Sequence, residues 1–166
     1  MTTIGIDNGV SGGLVALSPH SKIISMLPMP VLKARRGNEI DIAAVWQWMD
    51  ALGDRSRITA IIEEPGGSKS ARAATSMAGS FHALRALCVI KAIRWHRVTP
   101  QAWQRVMLPV CKAGDTKGRA LALARQLWPD ESFRASARCR IAHDGMVDAA
   151  IIAEFGRTSS MSKNNP

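Results

Sequence analysis

The 166 residues suit one domain of ordinary size and leave little room for a second. With 46% hydrophobic and 21% charged residues the chain has apolar material for a real core, and 22 Lys and Arg against 13 Asp and Glu set the net charge at +9. The sequence has no run of about 18 consecutive apolar residues, which by composition is taken to exclude a membrane span. The N-terminal Met1–Asp7 stretch lacks the basic-then-apolar pattern of a secretory signal.

Along the chain, Thr3–Asp7 is apolar and β-branched, Asn8–Gly13 is a glycine-rich turn, and Leu14–Leu17 is apolar again, which predicts strand, hairpin turn and strand. Lys22–Leu27 predicts a third short strand. Pro28, Pro30 and the basic Lys33–Gly37 stretch read as a loop. Asp41 is placed to cap a helix over Ile42–Leu52, with Val45, Trp46 and Met49 at helical spacing. Thr59–Glu63 reads as a buried strand ending in acid, followed by a flexible Gly66-Gly67-Ser68 loop. Ala71–Cys88, rich in Ala, Met and Leu, predicts a helix, and Ile90–Val98 a strand. Thr99-Pro100 resembles a cap followed by proline at the first helical position, opening a helix through Trp103 and Val106. Lys117–Leu127 is a further helix closed by Trp128-Pro129, and His143-Asp144-Gly145 opens a last one. Thr158–Pro166 is polar and reads as a disordered tail, leaving residues 1–157 as the folded domain. Three successive strands followed by mixed helices and strands imply an α/β fold with a sheet of mixed direction. The three cysteines, Cys88, Cys111 and Cys139, are an odd number without metal-type spacing, so they read as free thiols of a reducing, cytoplasmic compartment.

Charge is unevenly distributed. Residues 1–68 and 141–166 each balance at −1, whereas residues 69–140 hold fourteen basic and three acidic side chains. A solvated face is the plain reading of such a block, but its spread over several elements favours a polyanion, because phosphates reward clustered Lys and Arg. Lys69, Arg72, Lys112 and Arg119 are candidate phosphate contacts.

Four acids sit at the ends of apolar elements, where a carboxylate can reach a shared cleft. Asp7 ends the first strand, Glu63 ends the Thr59–Glu63 strand, and Asp144 and Asp148 lie four apart at the start of the last helix, on one face. Two Mg²⁺ or Mn²⁺ ions about 4 Å apart need several hard oxygen ligands converging from different elements. Each acid also has a structural reading. Asp7 fits a turn former and Asp144 a favourable charge at a helix N-terminus. Glu63 competes with Glu64, since alternation points only one of the two at the cleft.

Ile4–Gly9, Ile61-Ile62-Glu63 and His143–Ala150 together resemble the three acidic motifs of RuvC-type Holliday-junction resolvases, most closely the phage and organelle-type branch, whose last motif reads His-Asp-Gly-x-x-Asp-Ala. Thr99–Trp103 and Lys117–Pro129 are similar to segments between the second and third motifs, so the resemblance runs over about residues 3–156. It implies a ribonuclease H-like fold, a mixed central sheet flanked by helices, and a homodimer that nicks four-way DNA junctions symmetrically. The family's metal carboxylates fall on Asp7, Glu63, Asp144 and Asp148, for two Mg²⁺ or Mn²⁺ ions, and a family lysine near the scissile phosphate falls on Lys117. His143 matches a histidine that some relatives use, although a histidine beside a helix start also serves local hydrogen bonding. Relatives often carry an aromatic wedge shortly after the second-motif Glu; here none precedes Phe81. The helix Ala71–Cys88, with Met77, Phe81, Leu84 and Leu87, offers either a dimer surface or core packing.

Three rivals accompany that reading. The opening motif also looks like the phosphate loop of actin-like sugar kinases, which need two such domains and a much longer chain. A non-catalytic junction binder would not need acids in all three motifs. A ribonuclease H-like nuclease for RNA or hybrid would use the same metal site.

Overall fold

The computed structural model describes residues 1–35, 37–67, 70–108 and 115–159. Lys69, Lys112, Cys111 and the tail from residue 160 onward lie outside the described residues. Five strands form the central sheet: β1 (Thr2–Asp7), β2 (Gly13–Leu17), β3 (Ile23–Pro28), and, later in the chain, Ile58–Glu63 and Arg94–Val98. Between them run a small hairpin, β4 (Val31–Ala34) and β5 (Gly37–Ile40), then α1 (Ile42–Asp50), so the two later sheet strands are β6 and β7. The order is β3-β2-β1-β6-β7, with β1–β3 antiparallel and β1, β6 and β7 parallel, as a sheet of mixed direction requires.

α2 (Ala71–Ile90) joins β6 to β7, and α3 (Pro100–Met107), α4 (Thr116–Leu127) and α5 (Asp144–Thr158) follow. Alternation splits the strand residues between two cores. Ile4, Ile6, Ala16 and Ile62 face α1 and α2, while Val15, Leu17 and Ile61 face α3, α4 and α5. α5 is buried almost all round from Gly145 to Gly156, the mark of a central helix. It can lie this close to the sheet because Gly5 and Gly156 carry no Cβ: one on Gly5 would strike the Ala149 carbonyl, and one on Gly156 would strike Ile61. The caps are those expected, Asp41 accepting from the Ala44 N–H at 3.0 Å and Thr99 from the Ala102 N–H at 3.2 Å.

Five expectations need correction. The Lys33–Gly37 stretch is not a loop: Val31 pairs with Ile40 and Ala34 with Gly37, and Gly37 takes the positive φ (127°) that the tight return requires. Ile90 belongs to α2, not to a strand. The helix runs on until Ala92, at φ 53°, turns the chain, and β7 starts only at Arg94. Phe81, Leu84 and Leu87 are core residues packed beneath the sheet, so they are not available as a dimer surface; Met77 is half-buried and outside both cores, and the large apolar side chains that α2 exposes are Val89 and Ile90 at its end. Finally, α2 is by length and composition alone long and apolar enough to cross a membrane. Composition therefore does not exclude a span, and it is the packing of Phe81, Leu84, Leu87 and Cys88 in the core under the sheet that accounts for the helix's apolar character.

Thr158 closes α5 rather than opening a tail, its hydroxyl donating to the Glu154 carbonyl at 2.8 Å. Among the described cysteines, Cys88 is buried and Cys139 half-buried, and both are free.

Candidate active site

β1 and β6 are parallel neighbours in register from Thr2–Ile58 to Ile6–Ile62, so their C-terminal ends, with Asp7 and Glu63, emerge side by side. The first turn of α5 is brought to the same place by a contact of bare backbone. Gly12, in the turn after β1, pairs with Gly145 as an isolated bridge, and Gly13 sits so close that a Cβ there would lie 2.7 Å from the Gly145 carbonyl oxygen. Asp144 and Asp148 flank that contact. The start of α5 is held from the other side by the His143 N–H, which donates to the Phe133 carbonyl at 2.7 Å. Phe133 itself is fully buried and has φ 52°, an unusual backbone for a bulky residue, maintained by packing against Trp128.

Asp7, Glu63 and Asp148 are half-buried and share one electrostatic environment. Burial pushes the Glu63 carboxyl up to about 7; a hydrogen bond from Trp103 opposes this, and the Asp7 and Asp148 charges add to it. Burial also lifts Asp148 to about 7, reinforced by Asp7 and Asp144 and opposed by Lys117. Asp7 is raised by burial against the Gly9 N–H, His143 and Lys117, all of which favour its charged form. The expected Lys117 is at the site, but its ammonium is 2.6 Å from the Asp144 carboxylate in an exposed pair, so Asp144 stands at the mouth and not with the inner three. That pair raises the Lys117 pKa. The choice between the adjacent glutamates is resolved by the sheet: Glu63 faces α3 and α5, whereas Glu64 pairs with Arg97 at 3.3 Å.

Two residues that the sequence did not single out belong here. Asn8, 1% exposed, donates through Nδ2 to the Glu63 carbonyl, and its Oδ1 is buried without a partner. Trp103, also 1% exposed, donates its indole N–H to Glu63 Oε1 at 2.6 Å. In the sequence Trp103 stood out only as an apolar position of the Thr99-capped helix and as the end of the Thr99–Trp103 segment, with nothing tying it to Glu63. His143 has a buried, unpartnered Nδ1. Among the described residues no three Asp, Glu, His or Cys side chains are already gathered around one point that could hold a metal ion. The donor set nevertheless suits a hard divalent cation: half-buried carboxylates whose neighbouring charges raise one another's pKa values, with a buried, unpartnered amide oxygen on Asn8, the residue after Asp7.

Of the candidate phosphate contacts, Arg72 lies in the first turn of α2 with its guanidinium against Gly37 of the hairpin, and Arg119 lies in the first turn of α4. A groove of about 790 Å³ runs from Val10 between β5 and the small residues Ala73, Ser76, Gly79 and Ala83 of α2. Other members of the basic block are remote. Arg94 begins β7 at the far end of the sheet, and Arg85 and Lys91 lie over the rings of Trp95 and Trp46 at 5.6 and 4.3 Å.

No known family model matches the chain, and no curated protein matches it in sequence. Among solved structures, T. thermophilus RuvC in complex with Holliday junction substrate is similar with a TM-score of 0.62 at 11% identity, over 94% of each chain. A second Thermus thermophilus RuvC structure gives a TM-score of 0.58 at 14% identity, over 94% of this chain and 95% of that one. The likeness is one of fold: a five-stranded mixed sheet flanked by helices, the ribonuclease H-like fold of RuvC.

Proposed function

We propose that this protein is a structure-specific DNA endonuclease, a Holliday-junction resolvase that acts as a homodimer and places symmetric nicks in four-way junctions. The observation that carries the reading is the shared cleft of Asp7, Glu63 and Asp148, set at the ends of β1 and β6 and in the second turn of α5, in a fold like that of a RuvC bound to a junction substrate. Asp7, Glu63 and Asp148 are the inner ligands for Mg²⁺ or Mn²⁺, two ions per site, with Asp144 at the mouth as the fourth carboxylate. Bound there, the ions would supply an activated water and offset charge on the phosphate during phosphodiester hydrolysis.

The chain's own groups do the rest. Lys117, exposed and already beside Asp144, can exchange that partner for a non-bridging oxygen of the scissile phosphate. Arg72 and Arg119, with Lys69 and Lys112, contact the backbone on either side, and the groove from Val10 along α2 leads a strand away from the carboxylates. The nicks leave 5′-phosphate and 3′-hydroxyl ends. A two-fold enzyme matches a two-fold junction, which is the reason to expect a dimer. Such an enzyme works in the compartment that holds the DNA, the cytoplasm of a bacterial or phage-infected cell.

The test is incubation of labelled four-way junction, plain duplex and RNA–DNA hybrid with wild type and Asp7→Asn in Mg²⁺. Paired nicks on the junction alone, lost in the variant, are expected. Tight junction binding without cutting under any divalent ion would make the protein an architectural binder. Cleavage of the hybrid in place of the junction would keep the site and overturn the substrate.

A further inference from the structure

The Glu63 side chain is held more firmly than a metal-ligand carboxylate needs to be. Trp103 donates its indole N–H to Oε1 at 2.6 Å, and an indole has no other polar group to offer in exchange. At 1% exposure it cannot turn to water, so breaking the bond would leave a buried N–H unpaired. The main chain is fixed on both sides of the same residue: Asn8 Nδ2 donates to the Glu63 carbonyl, and the Glu64 N–H donates to the Val98 carbonyl at 2.7 Å. With the backbone held and one lone pair of Oε1 taken by the indole, Oε2 is the oxygen better able to turn into the cleft.

We infer that Trp103 is a positioning residue that makes Glu63 a one-oxygen ligand and so biases the cleft toward small six-coordinate cations and against Ca²⁺. This rests on the reading of the cleft as a divalent-cation site. The chemistry follows from coordination preference. Mg²⁺ demands near-octahedral geometry and is satisfied by one oxygen per carboxylate and its own waters, whereas Ca²⁺ takes six to eight oxygens and gains from carboxylates that bind through both. A Glu63 released from the indole could swing to offer both oxygens, and the site would then favour Ca²⁺ more. Partners of ligating groups of this kind alter metal affinity without touching the metal.

The test uses the full chain and reads binding, not cleavage. Mn²⁺ affinity is measured from the loss of the free-ion electron paramagnetic resonance signal, and Ca²⁺ affinity by competition, for wild type and Trp103→Phe. The expected result is a shift of the Mn²⁺-to-Ca²⁺ affinity ratio toward Ca²⁺ on the order of tenfold in the variant. Should Trp103→Phe unfold, 3-benzothienylalanine incorporated at position 103 preserves the ring shape and removes only the N–H, and the same shift is expected. An unchanged ratio with Mn²⁺ still bound would overturn the inference alone. Absence of Mn²⁺ binding by wild type would overturn it together with the cation-site reading.

Discussion

Asp7, Glu63 and Asp148 are acids whose charge the protein compensates only in part, and this has a consequence for stability. Glu63 and Asp148 have ordinary values of 4.5 and 3.8 and are raised to about 7 in the fold. Between about pH 4 and 7 the folded chain therefore holds more protons than the unfolded one, so stability falls as pH rises through that window and levels off, for these groups, above it. Asp148→Asn removes one of the charges. It should be more stable than wild type above pH 7, by roughly 2 kcal/mol after allowance for a carboxylate that is only half-buried, with the difference vanishing below about pH 4. Thermal unfolding at pH 4, 6 and 8 without divalent ions checks this; equal melting temperatures at pH 8 would mean that the burial acting on Asp148 is not real. The same variant should lose nicking, so stability and activity move in opposite directions at one position. Of these acids the sequence exposed position but not role: Asp7 and Asp144 each had a structural reading as good as the functional one. Strand alternation alone left Glu63 and Glu64 as rivals, the resemblance favoured Glu63, and in the fold Glu63 is the one whose side chain meets Trp103 of α3.

Among the elements, α5 decides whether the site exists. Its N-terminal turn meets the β1–β2 turn through Gly12, Gly13 and Gly145, and a Cβ on Gly145 would run into the Gly12 backbone, which cannot give way as a flexible side chain would. Gly145→Ala should therefore cost about 1–3 kcal/mol by overpacking and displace Asp148 from Asp7 and Glu63. Chemical denaturation measures the first, and the pH dependence of stability the second, since a displaced Asp148 should lose its raised pKa. A variant as stable as wild type with the same pH profile would show that the contact is looser than it stands here. The helices and sheet strands were readable from caps and apolar runs because those signals are local. The β4–β5 hairpin was not, since its four-residue strands carry Lys33, Asn38 and Glu39 and pair only because Gly37 lets the chain turn back. Ile90 misled for a related reason: a β-branched residue before a strand reads as part of it, while the helix end was set by Ala92 adopting a left-handed conformation that its sequence neighbours do not announce.

For the molecule as a whole, the described side chains of the basic block of residues 69–140 do not all lie on one surface. Lys117 lies beside Asp144, and Arg72 and Arg119 lie in the first turns of α2 and α4, whereas Arg94 begins β7 at the opposite end of the sheet and Arg85 and Lys91 lie over indole rings. Lys117, Arg72 and Arg119 are the described members proposed as contacts for a strand at the cleft. Junction affinity should fall steeply with salt, and Arg72→Ala should reduce the slope of log affinity against log salt by about one, whereas Lys91→Ala should leave it unchanged. Titrations at several salt concentrations test both; an equal loss for Lys91→Ala would mean that DNA wraps to the far end.

The sequence by itself determined the order of the main elements, their caps, the mixed α/β class and the four acidic positions, because hydrophobic period, capping chemistry and turn residues act over a few neighbours. Tertiary structure alone decided what those acids do to one another. The parallel register of β1 and β6 sets Asp7 beside Glu63, a glycine contact across 133 residues brings Asp148 to them, and Lys117 keeps Asp144 at the mouth. It also revealed Asn8 and Trp103 as the groups that hold Glu63, since a hydrogen bond between residues forty apart has no local pattern to betray it.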